Sequence, residues 1–358
     1  MCARPYNQAK HVIIKAEGIG FAAYPLKLDI KMNGFDFISI TKHFNCKSTP
    51  ISANGKANLK DLGELCGKRK YKLRGCYGFA IDAWWLEDGT CMGIEGSIMY
   101  YWQGHNLIYT AKDFAQAINF IGAEFQVNLW DGIVDKLEYF AIMPVDAPPK
   151  DYICHHAAAP KEGLTQAVNE KYKGHFTMWQ DAGKIDLKMY DADKNARNKQ
   201  PKPVRQALQD SGQYNFEQYH LKFEARYLRP ELLNQLKGVR LADLLNPQWQ
   251  DRFREDLYLQ YQRLVPMKTL VTPTDKKNLT TADYILQELV EGGLNNGSTI
   301  EGIKKRLYSR INSTSSAVLT KEDKKARKRR IKALLDRLQE EPESKWDLSK
   351  QLEEALLD

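Results

Sequence analysis

Three short segments of this chain carry side chains that could do chemistry together. Residues 101–106 (YWQGHN) set His105 directly after a glycine. A neutral imidazole displayed on a loop can bind a divalent ion, although a surface histidine donating a turn hydrogen bond fits the same spacing. Residues 222–227 (KFEARY) alternate. As a strand they place Phe223, Ala225 and Tyr227 on one face and Lys222, Glu224 and Arg226 on the other. That charged row reads either as a solvated surface or as a place where a carboxylate grips a metal while cations meet phosphate. Residues 185–194 (IDLKMYDADK) put Tyr190 where a strand would give way to a helix. A helix beginning at Asp191 carries Lys194 over the face of the tyrosine, one turn on. An ammonium there favours the phenolate, lowers the phenol pKa from about 10 and makes the tyrosine a nucleophile. A ring that merely packs at a strand end is the plainer alternative for any of the 18 tyrosines.

The elements that must position these groups follow from periodicity and punctuation. Up to about residue 230 the chain reads as short strands: 11–16, 26–32, 78–85, 91–98, 134–143, 185–190 and 219–228. The turn residues Glu87, Asp88 and Gly89 make 78–98 a hairpin, and Pro144 is expected to stop the strand before it. Thr110 with Asp113 caps a helix whose apolar residues recur three and four apart. A charged helix runs from Asp191 towards Arg205, with Pro201 and Pro203 breaking it. These features predict an α+β fold, a mostly antiparallel sheet with helices on one face. After Pro230 the pattern is helical throughout. The expected division is therefore residues 1–238 as the sheet domain and 239–358 as a helical, basic C-terminal domain, with the Ser/Thr-rich stretch 312–316 as a flexible linker. No internal repeat is present.

Composition narrows the classes. The chain has 358 residues, long enough for two cores, and no apolar run long enough to span a membrane. Its first residues lack the apolar core of a signal peptide, so a cytoplasmic location is expected. The six cysteines include no C-x-x-C pair, which argues against a zinc finger and for reduced, mostly buried thiols. Residues Cys154, His155 and His156 suggest a metal motif, but neighbours on a strand point to opposite faces and cannot share one ion there. The net charge of +8 is concentrated in 321–332 (KEDKKARKRRIK), eight cations against two carboxylates, which fits either phosphate contacts or a solvated helix face. The aromatic residues Trp84, Trp85, Tyr100, Tyr101 and Trp102 suit base stacking or a core.

Taken in order, these segments resemble the gene II replication initiators of filamentous phages and the related plasmid rolling-circle Rep proteins, distant relatives of the HUH endonucleases. The resemblance rests on a Cys91, Ile94, Ser97 strand, then Gln103-Gly104-His105-Asn106, then the Thr110-capped helix. It continues through a basic-x-acidic strand (Lys136, Glu138), a strand ending in Tyr190, and the Lys222–Arg226 strand. It spans about residues 77 to 235. The chain departs from the family pattern at two points: the basic-x-acidic strand is usually Arg-x-Asp, and position 192 is alanine where a lysine is common.

The resemblance implies a metal-dependent DNA nicking-closing enzyme of HUH/Rep-like fold. Tyr190 would form a 5'-phosphotyrosyl intermediate, assisted by Lys194, and His105, Glu138 and Glu224 would hold Mg²⁺ or Mn²⁺. Lys188, Lys222 and Arg226 would contact DNA; outside the resemblance, the charge of the basic helix makes Lys324, Lys325, Arg327, Lys328, Arg329 and Arg330 further candidates for phosphate contact. The implied partners are double-stranded origin DNA and single-stranded DNA in a bacterial host cell, with a host helicase, a polymerase and a second copy of the chain as further candidates. Two alternatives stand beside it: a non-catalytic origin-binding protein, and a mobilisation relaxase, which normally shows a three-histidine cluster.

Overall fold

Alternating apolar and polar residues in Leu221–Tyr227 require a strand with two differently covered faces, and the computed structural model builds a sheet around it. It describes residues 31–50, 52, 56–158, 163–167, 174–228, 238–264, 281–295, 300–336 and 346–357. The strand expected at 11–16 and most of that at 26–32 lie outside the described residues. The strands are β1 (Asn33–His43), β2 (Leu59–Leu65), β3 (Lys68–Arg74), β4 (Ala80–Leu86), β5 (Cys91–Ser97), β6 (Ile133–Val145), β7 (Thr165–Ala167), β8 (Phe176–Asp181), β9 (Ile185–Asp191) and β10 (Tyr219–Tyr227). They form one antiparallel sheet in the order β2-β3-β4-β5-β1-β6-β10-β9-β8-β7. The fold is α+β.

The hairpin read from residues 78–98 is β4 and β5. Pro144, expected to end β6, instead lies inside it, paired with His220 of β10. On its other side β1 begins only at Asn33, opposite Ala141, so the missing N–H of the proline costs no ladder bond with that neighbour. Thr110 caps α2 (Ala111–Phe125) as expected: its Oγ1 accepts from the Asp113 N–H at 2.9 Å and donates to the Asp113 carboxylate at 2.6 Å. The charged helix after Tyr190 is split by Pro201 into α4 (Ala192–Lys199) and α5 (Lys202–Asp210).

One sheet face is aromatic. Phe35, Tyr139 and Tyr227 ring the side chain of Phe253, which belongs to α6 (Pro247–Gln262). Tyr261 of α6 packs on Phe223 and bonds His156 of α3 (Pro149–Ala158) at 3.0 Å. The last helix, α10 (Ser349–Leu357), returns to the same core: the Ala355 carbonyl accepts from Asn33 Nδ2 at 2.7 Å, and Leu352 and Leu356 are buried in it. The core therefore does not divide at residue 238. A buried aromatic sheet face needs a lid, and α6 and α10, from beyond that boundary, supply it. A second small core, Val290, Leu294, Ile303, Leu334 and Leu335, joins α7 (Thr281–Asn295), α8 (Ile300–Ser313) and α9 (Lys321–Leu335). Between α8 and α9 the Ser/Thr stretch, expected to be a flexible linker, forms a hydrogen-bonded turn in which the Ser315 carbonyl accepts from the Val318 and Leu319 N–H groups.

Among the described residues no helix is long and apolar enough to cross a membrane. The five described cysteines are free, but only Cys91 is buried; Cys46, Cys66, Cys76 and Cys154 are exposed, against the expectation of mostly buried thiols. They lie in turns, at strand ends and on the outer side of α3, where no core closes over them.

Since Phe253 is fully buried among four rings, Phe253→Ala should destabilise the sheet by about 3–5 kcal/mol. Urea denaturation followed by a probe of the sheet tests this. A change within about 0.5 kcal/mol would mean that α6 is not part of the sheet's core.

Candidate functional site

The opposite face of the four central strands β1, β6, β10 and β9 is polar yet closed to solvent. Strand alternation points Asp36, Glu138, Glu224, Lys222, Lys188 and Tyr190 to this side, and antiparallel pairing sets Glu224 opposite Lys188 and Lys222 opposite Tyr190. Asp36, Glu138 and Glu224 are each 5 % exposed or less. Each offers an oxygen within 4.8 Å of the others, and they are the group among the described residues that could hold a metal ion.

Three cations balance these three carboxylates. The Lys188 ammonium bridges Glu138 Oε1 and Glu224 Oε1, at 2.6 Å from each. Lys222 bonds Asp36 Oδ2 at 3.1 Å, lies 3.5 Å from Glu224 Oε2 and stacks 3.8 Å over the Phe140 ring. Arg226 approaches Glu138 at 2.5 Å. Asp36 also accepts from Ser97 Oγ and Asn106 Nδ2. Tyr190 Oη donates to Glu224 Oε2 at 2.8 Å.

Burial and charge set the protonation states. Burial would raise the Glu224 carboxyl, but Lys188 and Lys222 outweigh it and hold the group well below the usual carboxylate range. Glu138 is pushed up to about 7 by burial and by the charge of Glu224. Burial opposes the Lys188 ammonium, yet Glu224 and Glu138 keep its pKa above the ordinary lysine value. Tyr190 is raised well above 10 by burial and then by Glu224 and Asp36. The expectation that a lysine lowers this phenol therefore fails, because the carboxylates stand closer to it than any free cation. Lys194 does begin the helix after the tyrosine, its N–H capped by Asp191 at 2.8 Å, but its side chain is exposed while the phenol is buried. Lys222, 5.8 Å from the Tyr190 ring centre, is the nearer cation.

The site residues read from the sequence thus separate. Glu138, Glu224, Tyr190, Lys188, Lys222 and Arg226 come together. Lys188 and Lys222 bond carboxylates in a closed face and do not stand free for DNA, while Arg226 is one-third exposed. His105 does not join the carboxylate group. It follows a short helix, α1 (Ile98–Gln103), where a strand end was expected. Gly104 turns the chain there at φ 79°, and a Cβ at this position would meet Tyr77 at 2.8 Å. The His105 ring is buried, with Nδ1 facing Gln103 Nε2 at 3.1 Å. Lys136 lies on β6, half-buried.

The pair His155 and His156 is helical and structural: His155 stacks on Trp346 at 4.2 Å, and His156 bonds Tyr152 and Tyr261. Of the aromatic cluster, Trp85, Tyr100 and Tyr101 are core, because strand alternation and the α1 turn face them inward. On α9, Lys325, Arg327, Arg329 and Arg330 are exposed, whereas Lys324 bonds the Asn312 carbonyl at 3.1 Å and Lys328 lies over Tyr308. Asp36 and Asn106 went unremarked as site residues; the available signal was a lone carboxylate between Phe35 and Phe37 in an apolar strand.

Chemically the arrangement offers a phenol hydrogen-bonded to an ionised carboxylate, beside an all-oxygen donor set of the kind that suits Mg²⁺ or Mn²⁺. Asn106 Oδ1, carried on the amide that donates to Asp36, is buried without a hydrogen-bond partner. Comparison with known proteins gives no match to any family model, curated protein or solved structure.

The buried His105 ring titrates far below its ordinary value, at about 3, because burial disfavours the imidazolium. The unfolded chain therefore binds this proton first, below about pH 6.5. Stability from this group is full above that pH and falls as the pH drops towards 3, by up to ~1.4 kcal/mol per unit. Relative to His105→Asn, the wild type should lose about 2 kcal/mol more between roughly pH 7.5 and pH 5. Parallel urea titrations that give equal losses would show that the ring is not held neutral.

Proposed function

We propose that this protein nicks one strand of origin DNA with the phenol of Tyr190 and keeps the cut end as a 5'-phosphotyrosyl ester, as a rolling-circle replication initiator with a HUH/Rep-like domain does. The observation that carries this reading is the 2.8 Å hydrogen bond from Tyr190 Oη to Glu224, a carboxylate within the acidic group. Glu224, which accepts the phenol's hydrogen bond, is placed to take its proton as the attack develops. The phenol oxygen then attacks phosphorus, the bond to the 3' oxygen breaks, and that oxygen leaves as a hydroxyl once protonated. The ester conserves the bond, so the reverse attack by a 3' hydroxyl rejoins the strand without ATP.

Asp36, Glu138 and Glu224, with Asn106 beside them, are the residues that would hold the divalent ion. Bound there, Mg²⁺ or Mn²⁺ supplies charge neutralisation and orientation at the phosphate. Asp36 is itself oriented by Ser97, Asn106 and Lys222. Tyr190 is only 9 % exposed, so the scissile strand must arrive unpaired to bring a phosphate in line with it. The exposed cations of α9 suit a duplex backbone, giving single- and double-stranded DNA as the partners, in the cytoplasm of a bacterial host.

One observation favours a second reading, an origin-binding protein without catalysis. The six charged groups satisfy one another, and the phenol is protonated within them. A relaxase is less favoured, because the ligand group found among the described residues contains no histidine.

Incubation with an origin-derived single-stranded oligonucleotide and Mn²⁺ should give a covalent adduct on denaturing gels. Tyr190→Phe should abolish the adduct, and Glu224→Gln should slow its formation by about 10²–10⁴-fold. An adduct that survives in Tyr190→Phe refutes the nucleophile, and no adduct with any divalent ion favours the pure binder.

A further inference from the structure

The Lys188 ammonium lies between Glu138 and Glu224, 2.6 Å from an oxygen of each, and these two carboxylates belong to the group that could hold a metal ion. We propose that Lys188 is an internal counter-ion that competes with the divalent ion for the carboxylate site, so that metal loading is an exchange of one cation for another. The inference rests on these carboxylates being the cation site of the proposed reaction.

The argument is electrostatic. Three carboxylates brought together away from water repel one another and lose hydration, so the fold must supply positive charge to close this face. Lys222 and Arg226 each lie to one side, Lys222 on Asp36 and Glu224, and Arg226 on Glu138. Only Lys188 bridges the two glutamates. Its register explains this: Lys188 pairs with Glu224 across β9 and β10, while Glu138 is carried by β6 on the other side of β10. A divalent ion held by both glutamates would compete with the ammonium for the same two carboxylates. With both in place the ion would face a like charge at contact distance, where little water screens the repulsion. The ammonium must therefore move off for the ion to bind tightly. A long, unbranched lysine stem, 13 % exposed at its side chain, can swing away, as a rigid guanidinium fork would not.

The consequence is separable from nicking, because metal affinity and metal-dependent stability are read without DNA. Mn²⁺ binding to the full chain is measured by calorimetry and by electron paramagnetic resonance, together with the thermal midpoint with and without Mn²⁺. Lys188→Met keeps the stem and removes the charge. It should bind Mn²⁺ at least about tenfold more tightly than the wild type, and its thermal midpoint should rise more on adding Mn²⁺. Lys136→Met, on β6, should leave affinity unchanged. If Lys188→Met does not fold alone, Mn²⁺ should restore its far-ultraviolet circular dichroism. Equal or weaker Mn²⁺ binding in a folded Lys188→Met, or an unfolded one that Mn²⁺ does not rescue, overturns the proposal. A wild type that nicks DNA while Lys188→Met gains no affinity removes this inference and leaves the nicking reading standing. Tighter Mn²⁺ binding without any DNA adduct does the reverse.

Discussion

Everything at the centre of this sheet depends on one constraint: three carboxylates cannot all stay ionised on a water-poor face unless cations meet them there. Asp36, Glu138 and Glu224 are matched by Lys188, Lys222 and Arg226. The six groups come from four adjacent strands whose sequence positions are far apart. A slip of one residue in β9 or β10 would turn Lys188 or Glu224 to the aromatic face and leave a charge without a partner, so the ion pairs enforce the register as strongly as the apolar pattern does. The phenol of Tyr190 is fixed in turn by Glu224. The geometry that makes it a reactive candidate is therefore a by-product of neutralising the carboxylates.

The two faces of the sheet work against each other in a useful way. On the aromatic side, Phe35, Tyr139, Phe223 and Tyr227 bury large rings beneath α6 and α10. Burying such rings contributes the favourable free energy that desolvating the charged side consumes. Recruiting α10 from the end of the chain follows from this, since a sheet with one costly face needs its other face fully covered. The small core of α7, α8 and α9 takes no part in that balance.

What could be read from the sequence was what is decided locally. The Thr110–Asp113 cap, the β4–β5 hairpin, the break at Pro201 and the two-faced pattern of residues 222–227 each depend on a few neighbouring residues, and each appears as expected. The alternation of Lys222, Glu224 and Arg226 does not reveal whether their face is wet, because that depends on strands β1 and β6, which lie far earlier in the chain. Asp36 was overlooked for the same reason: its role exists only once β1 lies beside β6. Lys194 was favoured because helix spacing is a local rule, whereas Lys188 reaches its glutamates only across strands. The division at residue 238 followed a real change of periodicity, but periodicity does not say which core a helix joins.

Stability alone does not account for the charged face. Buried ion networks are roughly neutral, and often unfavourable, against apolar side chains of the same volume. Replacing the six groups by leucines, valines and methionines would give an ordinary closed sheet and spare the desolvation. This chain instead sets three carboxylates within 4.8 Å of one another, bridges Glu138 and Glu224 with an ammonium and hangs a phenol on Glu224, an arrangement that costs more than an apolar face would. On the proposed reading, a divalent ion and a phosphate would supply the charges that make this face more stable loaded than empty. On that ground the network is better understood as a prepared binding site than as a device for holding the sheet together.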